Sequence, residues 1–390
     1  MSPLVISADR ALTPLEEIHD AAVVVEDGKI LAAGRRSEIS LPRGVREHVA
    51  RGMTIVPGFV DVHIHGAGGH DVMEASPEAL AGVAATAARH GTTTLVATTV
   101  TTSEEHICRS AEGIARYIRS AGNSPQGEPR AEVAGIHFEG PFISRVRRGV
   151  HSPDWIAAPA VASFERYLQA AAGTGKILTL APELPSALAL VDTARRAGLV
   201  VAMGHTDATY AEASAAIERG ACHAVHVFNA MRPFSHRETG VLGAVLTSAG
   251  VTAELIADNV HVDAPAMKLL LRAKGAERVL LVSDGTAATG MPDGKYQLGT
   301  FEVIVSGGVC RNAEGRLAGS TLTLDRAIRN IVTLGVSLAD AVRMVTLNPA
   351  RLLGLEGRKG VLAPGADADL VLLDSALNVA GVMTRGVGLA

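Results

Sequence analysis

Two histidines separated by one residue, His63 and His65, are the side chains of this sequence best placed for metal chemistry. They close an apolar, strand-like run that begins at Val56. Side chains alternate along a strand, so both imidazoles should point to the same side and could bind one metal ion. Because the chain contains 14 histidines, the pair gains weight only from other metal-binding residue types near it.

Further polar residues lie at or near the ends of later strand-like runs: Glu139, His205, His226 and Asp284. In a barrel of parallel strands, the reacting groups collect at the carboxyl ends of the strands. These side chains should therefore meet the two histidines of the first run. Imidazole and carboxylate ligands suit zinc, iron(II) or a similar divalent ion, and a catalytic site keeps one coordination position open.

Glu139, His205 and His226 supply the three protein ligands that a catalytic metal site needs. The His-x-His pair could bind a second ion with Glu139 bridging the two, so we predict one or two ions per subunit. A divalent ion lowers the pKa of bound water from about 15.7 to roughly 7. Asp284 is then predicted to take the remaining proton and to pass it to a leaving nitrogen.

The elements that must position these residues alternate between apolar runs and alanine-rich helical segments. This pattern is typical of a parallel sheet closed by crossover helices. The runs predicted as strands are 56–64, 92–99, 133–140, 177–183, 199–206, 222–229, 251–258 and 279–285. The segments between these eight runs are long enough for the crossovers of an α/β fold, a (β/α)8 TIM-like barrel.

Residues 1–55 have the pattern of short strands broken by turns, including a hairpin signal at Asp27 and Gly28. A similar pattern returns near the end of the chain. We therefore predict a small β-sandwich domain formed from both termini, with residues 1–55 and 356–390 flanking a barrel of residues 56–355.

Three secondary predictions concern residues around the proposed metal site. His223 is out of phase with His226 and should face the helix layer. His137 shares a strand face with Glu139 and should lie one layer deeper, where it would hydrogen-bond to a ligand. The small residues of 285–295 predict a mobile lid.

Composition restricts the partners and the location. With 390 residues and 47% hydrophobic content, the chain can bury a large core. Its formal net charge of -4 provides no basic surface for nucleic acid or an anionic membrane. The three cysteines are too few for a disulfide framework, and no secretory signal or long apolar run is present, which predicts a cytoplasmic protein.

With these residues assembled, the chain resembles the amidohydrolase superfamily and, within it, the family of N-acetylglucosamine-6-phosphate deacetylases. The resemblance covers nearly the whole chain and rests on an ordered set of motifs. They occupy residues 57–61, 135–142, 203–209, 226–231, 236–240, 256–263, 281–284 and 317–323. Any one motif is weak, but the ordered set is specific.

The resemblance implies hydrolysis of the acetamide of N-acetylglucosamine-6-phosphate, giving glucosamine-6-phosphate and acetate. It implies that Glu139, His205 and His226 bind metal and that Asp284 is the acid/base catalyst. It also implies that His151 polarises or orients the acetyl carbonyl, whose oxygen gains negative charge during the reaction.

The substrate implied by the resemblance is a phosphorylated amino sugar, whose phosphate would contact Asn229, the Ala230 amide, Arg237 and His261. A guanidinium suits the paired oxygens of a phosphate. The resemblance further implies a homodimer in which some of these contacts come from the other subunit. Asn259 stands where the family often has glycine, which leaves the fine substrate preference open.

Three alternatives stay open at this point. A deacetylase for N-acetylgalactosamine-6-phosphate differs only in the orientation of one hydroxyl. Another amidohydrolase acting on cyclic amides often carries a carboxylated lysine on the fourth strand, but Lys176 lies at the opposite end of that run. A barrel that serves in assembly instead of catalysis typically lacks some metal ligands, whereas this chain has the full set.

Overall fold

The computed structural model describes residues 3–41, 44–125 and 127–389. Its strands, in chain order, are β1 (Leu4–Leu12), β2 (Glu17–Glu26), β3 (Lys29–Arg35), β4 (Arg46–Pro57), β5 (Phe59–Ile64), β6 (Gly66–Ala67), β7 (His70–Asp71), β8 (Thr92–Thr99), β9 (Glu132–Glu139), β10 (Gly175–Leu180), β11 (Val200–Met203), β12 (His223–Ala224), β13 (Thr252–Leu255), β14 (Val279–Leu281), β15 (Gly294–Leu298), β16 (Phe301–Ser306), β17 (Val309–Asn312), β18 (Leu370–Leu373) and β19 (Val379–Met383). Its α-helices are α1 (Pro77–Arg89), α2 (Glu104–Arg119), α3 (Val161–Ala171), α4 (Ala187–Arg196), α5 (Tyr210–Glu218), α6 (Gly240–Thr247), α7 (Ala264–Lys274), α8 (Leu324–Thr333), α9 (Leu338–Val345) and α10 (Leu347–Leu352). Within the described ranges, no helix has both the length and the apolar character needed to cross a membrane.

Eight parallel strands form the barrel in the order β5, β8, β9, β10, β11, β12, β13, β14, which is also their order along the chain. A helix follows each strand, as α1 follows β5 and α2 follows β8. The last strand segment returns to the first, because Asp284 N donates to His63 O at 2.9 Å and Ile64 forms a bridge with Gly285. The predicted (β/α)8 TIM-like barrel is confirmed.

Six of the eight barrel strands are shorter than the predicted runs, whereas β8 and β9 have the predicted length. For β11, β12 and β14 the shortening has a local cause. Three proposed site residues have left-handed backbone at strand ends: His205 with φ of 46°, His226 with φ of 30° and Asp284 with φ of 48°. A positive φ is costly for residues other than glycine and takes the chain out of the extended ladder. These three strands therefore stop before His205, His226 and Asp284, which reach into the centre.

Strands from both ends of the chain form one six-stranded sheet in the order β19, β18, β4, β1, β2, β3. Strand β4 joins the two parts, because its residues 46–55 pair with β1 and its residues 54–57 pair with β18. The predicted β module from both termini is confirmed. Since β4 pairs with partners from both termini, hydrogen bonding creates a single sheet where two facing sheets were expected.

Local signals at two element ends are confirmed. The turn between β2 and β3 consists of Asp27 and Gly28, with φ of 46° and 76°, as a two-residue hairpin with primed geometry requires. At the start of α1, the Ser76 side chain accepts a hydrogen bond from Ala79 N, and Pro77 occupies the first helical position. Gly91 follows this helix with φ of 85°.

The segment after the barrel departs from the prediction of a mobile lid over 285–295. Residues 285–289 are buried. Gly66 N donates to Gly285 O at 2.9 Å, and Thr286 N donates to Ser320 O at 3.0 Å. The lid prediction is therefore wrong for this half, because small residues here allow close packing against the barrel. An antiparallel meander of β15, β16 and β17 follows.

A buried lysine connects the barrel to the terminal sheet. The Lys359 side chain is 1% exposed, and its Nζ lies 2.8 Å from Glu132 Oε2, 2.8 Å from Asp367 Oδ2 and 2.7 Å from Asp369 Oδ2. Burial opposes the charged form of Glu132, but Lys359 and Arg358 hold the pKa of that carboxyl below its usual value. One ammonium thus balances carboxylates from both parts of the protein.

Lys359→Met should lower the free energy of unfolding by about 3–5 kcal/mol, because removing one partner leaves uncompensated charges in a buried site. Chemical denaturation followed by circular dichroism measures this change. The matched control is Arg351→Met, which breaks an exposed pair with Glu356 and should cost at most about 1 kcal/mol. An equal effect of both substitutions would contradict the assigned role of Lys359.

The same variant should change the acid sensitivity of the fold. A carboxyl whose folded pKa is lowered stabilises the protein above its unfolded pKa and loses that contribution as the pH falls. For Glu132 and Asp367, whose ordinary values are 4.5 and 3.8, this loss should begin below about pH 5. Wild type should lose more stability on acidification than Lys359→Met.

Candidate active site

A cavity of about 270 Å³ opens at the carboxyl end of the barrel strands. Most of the predicted site residues line it: His65, Glu139, His151, His205, His226, Asn229, Ala230, His261 and Asp284. His63 lies directly beneath this surface and is fully buried. The barrel has thus brought together residues that are up to about 220 positions apart in the sequence.

Glu139 is the centre of the cluster. Its Oε1 atom lies 3.0 Å from His226 Nε2 and 3.2 Å from His205 Nε2. The two histidine Nε2 atoms are 3.1 Å apart. These three side chains come from the ends of β9 and β11 and from the segment after β12, and they form one group of potential metal ligands.

A second group of potential ligands lies on the other side of Glu139. His63 Nε2 is 3.3 Å from Glu139 Oε1, and His65 Nε2 is 3.4 Å from Glu139 Oε2. Asp284 Oδ1 lies 3.2 Å from His65 Nε2 and 3.6 Å from His63 Nε2. Glu139 therefore faces both groups, and it is the side chain able to bridge them.

Backbone carbonyls orient three of the four histidines predicted as metal ligands. The Nδ1 atom of His65 donates to Thr98 O at 3.0 Å, that of His205 to Arg147 O at 3.1 Å, and that of His226 to Asn229 O at 3.2 Å. A carbonyl can only accept a hydrogen bond, so each Nδ1 carries the proton and each Nε2 directs its lone pair to the centre. This arrangement fits a divalent metal ion.

The charges of the cluster fit a cation as well. Burial opposes ionisation of Glu139, but His63 and His205 hold its pKa well below the usual range. Burial lowers the pKa of His205 to about 4. For His65, burial is outweighed by Asp284 and Glu139, which raise its pKa to about 9. The extra proton of His65 thus occupies a lone pair for which a divalent ion would compete, whereas the lone pair of neutral His205 is already free for an ion.

His151 reaches the cluster on the loop that follows β9. Its ring is buried, and its Nε2 lies 3.6 Å from Glu139 Oε2. Gly149, with φ of 57°, permits this approach, since a Cβ there would stand 3.0 Å from the His205 ring. His151 Nδ1 has no hydrogen-bond partner among the described residues. The ring is therefore available to a ligand in the cavity.

Three of the four proposed phosphate contacts line the cavity, and the fourth, Arg237, does not. Asn229, Ala230 and His261 line it. The His261 ring is fixed by Asp258, whose Oδ2 lies 2.7 Å from His261 Nδ1. Asn259 takes φ of 61°, which asparagine tolerates better than most residues. Asparagine at this position is therefore compatible with the left-handed backbone, which glycine also adopts readily.

Two arginines differ from the sequence prediction. Arg237 is exposed and does not line the cavity. Arg316, which the sequence prediction missed, does line it. The Arg316 guanidinium donates to Gly149 O at 3.3 Å and pairs with Glu314 at 3.0 Å. Arg316 lies on the loop after β17, where no recognisable motif indicated a role for it.

Buried acids below the cavity were also missed. Glu254, in β13, is fully buried and contacts His63 and His223. Asp61 accepts a hydrogen bond from His63 N at 3.2 Å, and burial raises its pKa to about 6. Asp61 has the same strand phase as His63 and His65, which is the signal that could have identified it.

Two histidine predictions need correction. His223 does not face the helix layer: it is fully buried, and its Nε2 lies 2.9 Å from Glu254 Oε1 inside the barrel. The prediction failed because β12 contains only two residues, so strand phase does not extend to His226. His137 is fully buried, and its ring lies 4.7 Å from that of His63, but its Nε2 contacts Thr179 Oγ1 at 2.7 Å and does not hydrogen-bond to a proposed ligand as predicted.

A TIM-like barrel with this ring of histidines and carboxylates at its carboxyl end is the architecture of a metal-dependent hydrolase. Residues 54–388 match the amidohydrolase family, and the chain belongs to that family. Within it, the chain is 37% identical to the N-acetylgalactosamine-6-phosphate deacetylase of Escherichia coli O157:H7, over 98% of each chain. It is 36% identical to the N-acetylglucosamine-6-phosphate deacetylase of Bacillus subtilis (strain 168), over 98% of this chain and 96% of the relative.

Solved structures give the same result. A mutant N-acetyl-D-glucosamine-6-phosphate deacetylase from Mycobacterium smegmatis, in complex with N-acetyl-D-glucosamine-6-phosphate, superposes with a TM-score of 0.93 and 38% identity over 100% of both chains. The deacetylase from Thermotoga maritima superposes with a TM-score of 0.87 and 32% identity over 99% of both chains. The fold and the order of elements are therefore those of this group of amidohydrolases.

Proposed function

We propose that this protein hydrolyses the N-acetyl group of N-acetylglucosamine-6-phosphate to give glucosamine-6-phosphate and acetate. The observation that carries the proposal is the convergence of Glu139, the histidines and Asp284 in one cavity of a chain similar to such deacetylases along its whole length. The galactosamine alternative is not favoured, because relatives of comparable identity from several organisms bear the glucosamine name. The substrate-bound neighbour holds the gluco sugar.

The residues fit a divalent metal, and we propose zinc or iron(II) for the mixed imidazole and carboxylate set. Glu139, His205 and His226 would hold one ion. A second would be held by His63 and His65, with Glu139 between the two. When bound, such an ion lowers the pKa of water toward 7 and thereby supplies a nucleophile at neutral pH.

Asp284 performs the proton transfers in this proposal. Burial opposes its ionisation, but hydrogen bonding by His65 and the charge of His63 lower its pKa, so Asp284 is ionised at neutral pH and has a free oxygen lone pair for a proton from the attacking water. It takes that proton as the water oxygen bonds to the acetyl carbon. It then gives the proton to the sugar nitrogen as the carbon–nitrogen bond breaks, so acetate and the free amine leave.

The other residues bind and orient the substrate. His151 donates a hydrogen bond to the acetyl oxygen, where negative charge develops. Asn229, the Ala230 amide and His261 bind the phosphate from one wall of the cavity. In this arrangement the acetamide bond of the substrate lies over the proposed metal ligands, and its phosphate lies toward the opening of the cavity.

We further propose a cytoplasmic homodimer in which Arg237 reaches the phosphate in the neighbouring subunit's cavity. Its exposure outside its own cavity supports this, as does the exposed Phe234 nearby, which is 56% accessible. Mixed dimers of Arg237→Ala and Asp284→Asn subunits should recover activity above either parent, since one site per dimer is then complete. No recovery in dimers verified by light scattering would place Arg237 elsewhere.

Acetate release should be much faster from N-acetylglucosamine-6-phosphate than from unphosphorylated N-acetylglucosamine. We expect a difference in kcat/KM of at least about a hundredfold, because two charge-assisted hydrogen bonds contribute about 1.5–3 kcal/mol each. The assay uses enzyme loaded with zinc or iron(II) and includes the galactosamine epimer. Little activity on all three substrates would refute deacetylation and direct the search to cyclic amides.

A further inference from the structure

Glu254 is a buried carboxylate that the proposed chemistry does not use. It lies in β13 below the cavity and is fully buried. Its Oε2 lies 2.8 Å from His63 Nδ1 and accepts the backbone N–H of His226 at 3.0 Å. Its Oε1 lies 2.9 Å from His223 Nε2. Both oxygens are engaged, so the carboxylate has one fixed orientation.

His63 is the one histidine of the four proposed ligands whose Nδ1 partner is a side chain. The equivalent nitrogens of His65, His205 and His226 donate to backbone carbonyls. An ionised carboxylate accepts hydrogen bonds and cannot donate them, so Glu254 places the proton of His63 on Nδ1. A charged acceptor also forms a stronger hydrogen bond than a neutral carbonyl.

The opposite nitrogen of His63 is left with its lone pair facing the cavity. His63 Nε2 is buried and has no hydrogen-bond partner in the part of the chain that the structure describes. It stands 3.3 Å from Glu139 Oε1 and 3.6 Å from Asp284 Oδ1. A buried lone pair next to two carboxylates is suited to a cation and to little else.

We propose that Glu254 is a positioning residue that fixes the His63 ring and tautomer, and so determines the affinity of the site formed by His63, His65 and Glu139 for its ion. This inference rests on the proposed two-ion form of the enzyme. It predicts that Glu254→Gln affects one of the two ions, because the rings of His205 and His226 are oriented by carbonyls and a glutamine oxygen can still accept the His226 backbone N–H.

The test is the metal content and zinc affinity of Glu254→Gln, measured by mass spectrometry of the metal and by calorimetric titration of metal-free protein. Glutamine keeps the size of the side chain but replaces the charged acceptor of His63 Nδ1 with a neutral amide oxygen, which forms a weaker hydrogen bond. We expect wild type to bind two ions per subunit, and the variant to bind one ion unchanged and the other about 10–100-fold more weakly.

Thr252→Val is the matched control, since Thr252 contacts the far side of His223 in the same strand and does not touch His63. The affinities of Thr252→Val for the two ions should stay within about twofold of the wild-type values. Glu254→Asp keeps the charge, and its affinity for the weakened ion should lie between those of wild type and Glu254→Gln. If Glu254→Gln does not fold, Glu254→Asp is the test variant. Unchanged affinity for both ions in a folded variant would overturn the proposal.

A wild-type protein that binds one ion, with an affinity unchanged in Glu254→Gln, would also overturn the proposal, because no ion would then depend on His63. Deacetylation by that one-ion protein would leave the proposed reaction intact. Conversely, the wild type could bind two ions, and Glu254→Gln could show the expected loss of metal affinity, while neither protein releases acetate. That result would refute the proposed substrate and preserve the role of Glu254. The two failures are therefore distinguishable.

Discussion

Asp284→Asn should reduce kcat for N-acetylglucosamine-6-phosphate by about 10²–10⁴-fold, the range typical of losing a general acid–base group. Asparagine has nearly the same shape as aspartate, so KM should change little. It cannot take a proton from the attacking water or return one to the leaving nitrogen. Steady-state kinetics with metal-loaded protein measures both parameters.

Metal content must be measured on the same samples, because Asp284 Oδ1 lies 3.2 Å from His65 Nε2 and within the second ligand group. The matched control is Asp325→Asn, another buried carboxyl, which pairs with Arg329 at 2.9 Å and does not line the cavity. It should retain wild-type kcat. A fully metal-loaded Asp284→Asn protein with kcat within tenfold of wild type would exclude the proton-transfer role.

Glu139→Gln should abolish tight metal binding in both groups and lower activity by about a thousandfold or more. Metal ions contribute several kcal/mol of transition-state stabilisation, and each 1.36 kcal/mol corresponds to a factor of ten in rate. Glu139 contacts His63, His205 and His226 with one oxygen alone. No other carboxylate among the described residues is placed between both groups.

Metal analysis and acetate release test this prediction together. Glu302→Gln is a suitable control, since Glu302 forms an exposed pair with Lys295 on the meander. It should keep both its metal and its activity. If Glu139→Gln retained two ions per subunit with wild-type affinity, Glu139 could not be the bridging ligand.

The main part of the site was predictable because parallel strands place their carboxyl ends together. His205 and Asp284 could be located without any knowledge of side-chain contacts, since each is a potential ligand at the end of an apolar run. His151 was different, because it lies on a loop without periodic pattern. Only the resemblance to a family suggested its role, and the loop's backbone at Gly149 explains how it arrives.

Residues inside the barrel were harder to predict. Glu254 is an ordinary-looking acid in a short strand, and only the three-dimensional closure of the barrel places it under His63. The predicted orientation of His223 was wrong for a related reason, because a two-residue strand is too short to maintain the alternation of side chains that the prediction assumed. By contrast, the paired glycines Gly307 and Gly308 are a recognisable turn signal for the hairpin between β16 and β17 in the meander.

The position of β4 between β1 and β18 has a consequence for synthesis of the chain. Residues 54–57 must pair with residues 370–373, which the ribosome delivers more than 300 residues later. Until then one edge of β4 exposes unpaired backbone groups, the kind of edge that promotes association with other chains. The nascent protein therefore carries this unpaired edge through most of its synthesis, and its demand for chaperones should fall when the final strands emerge.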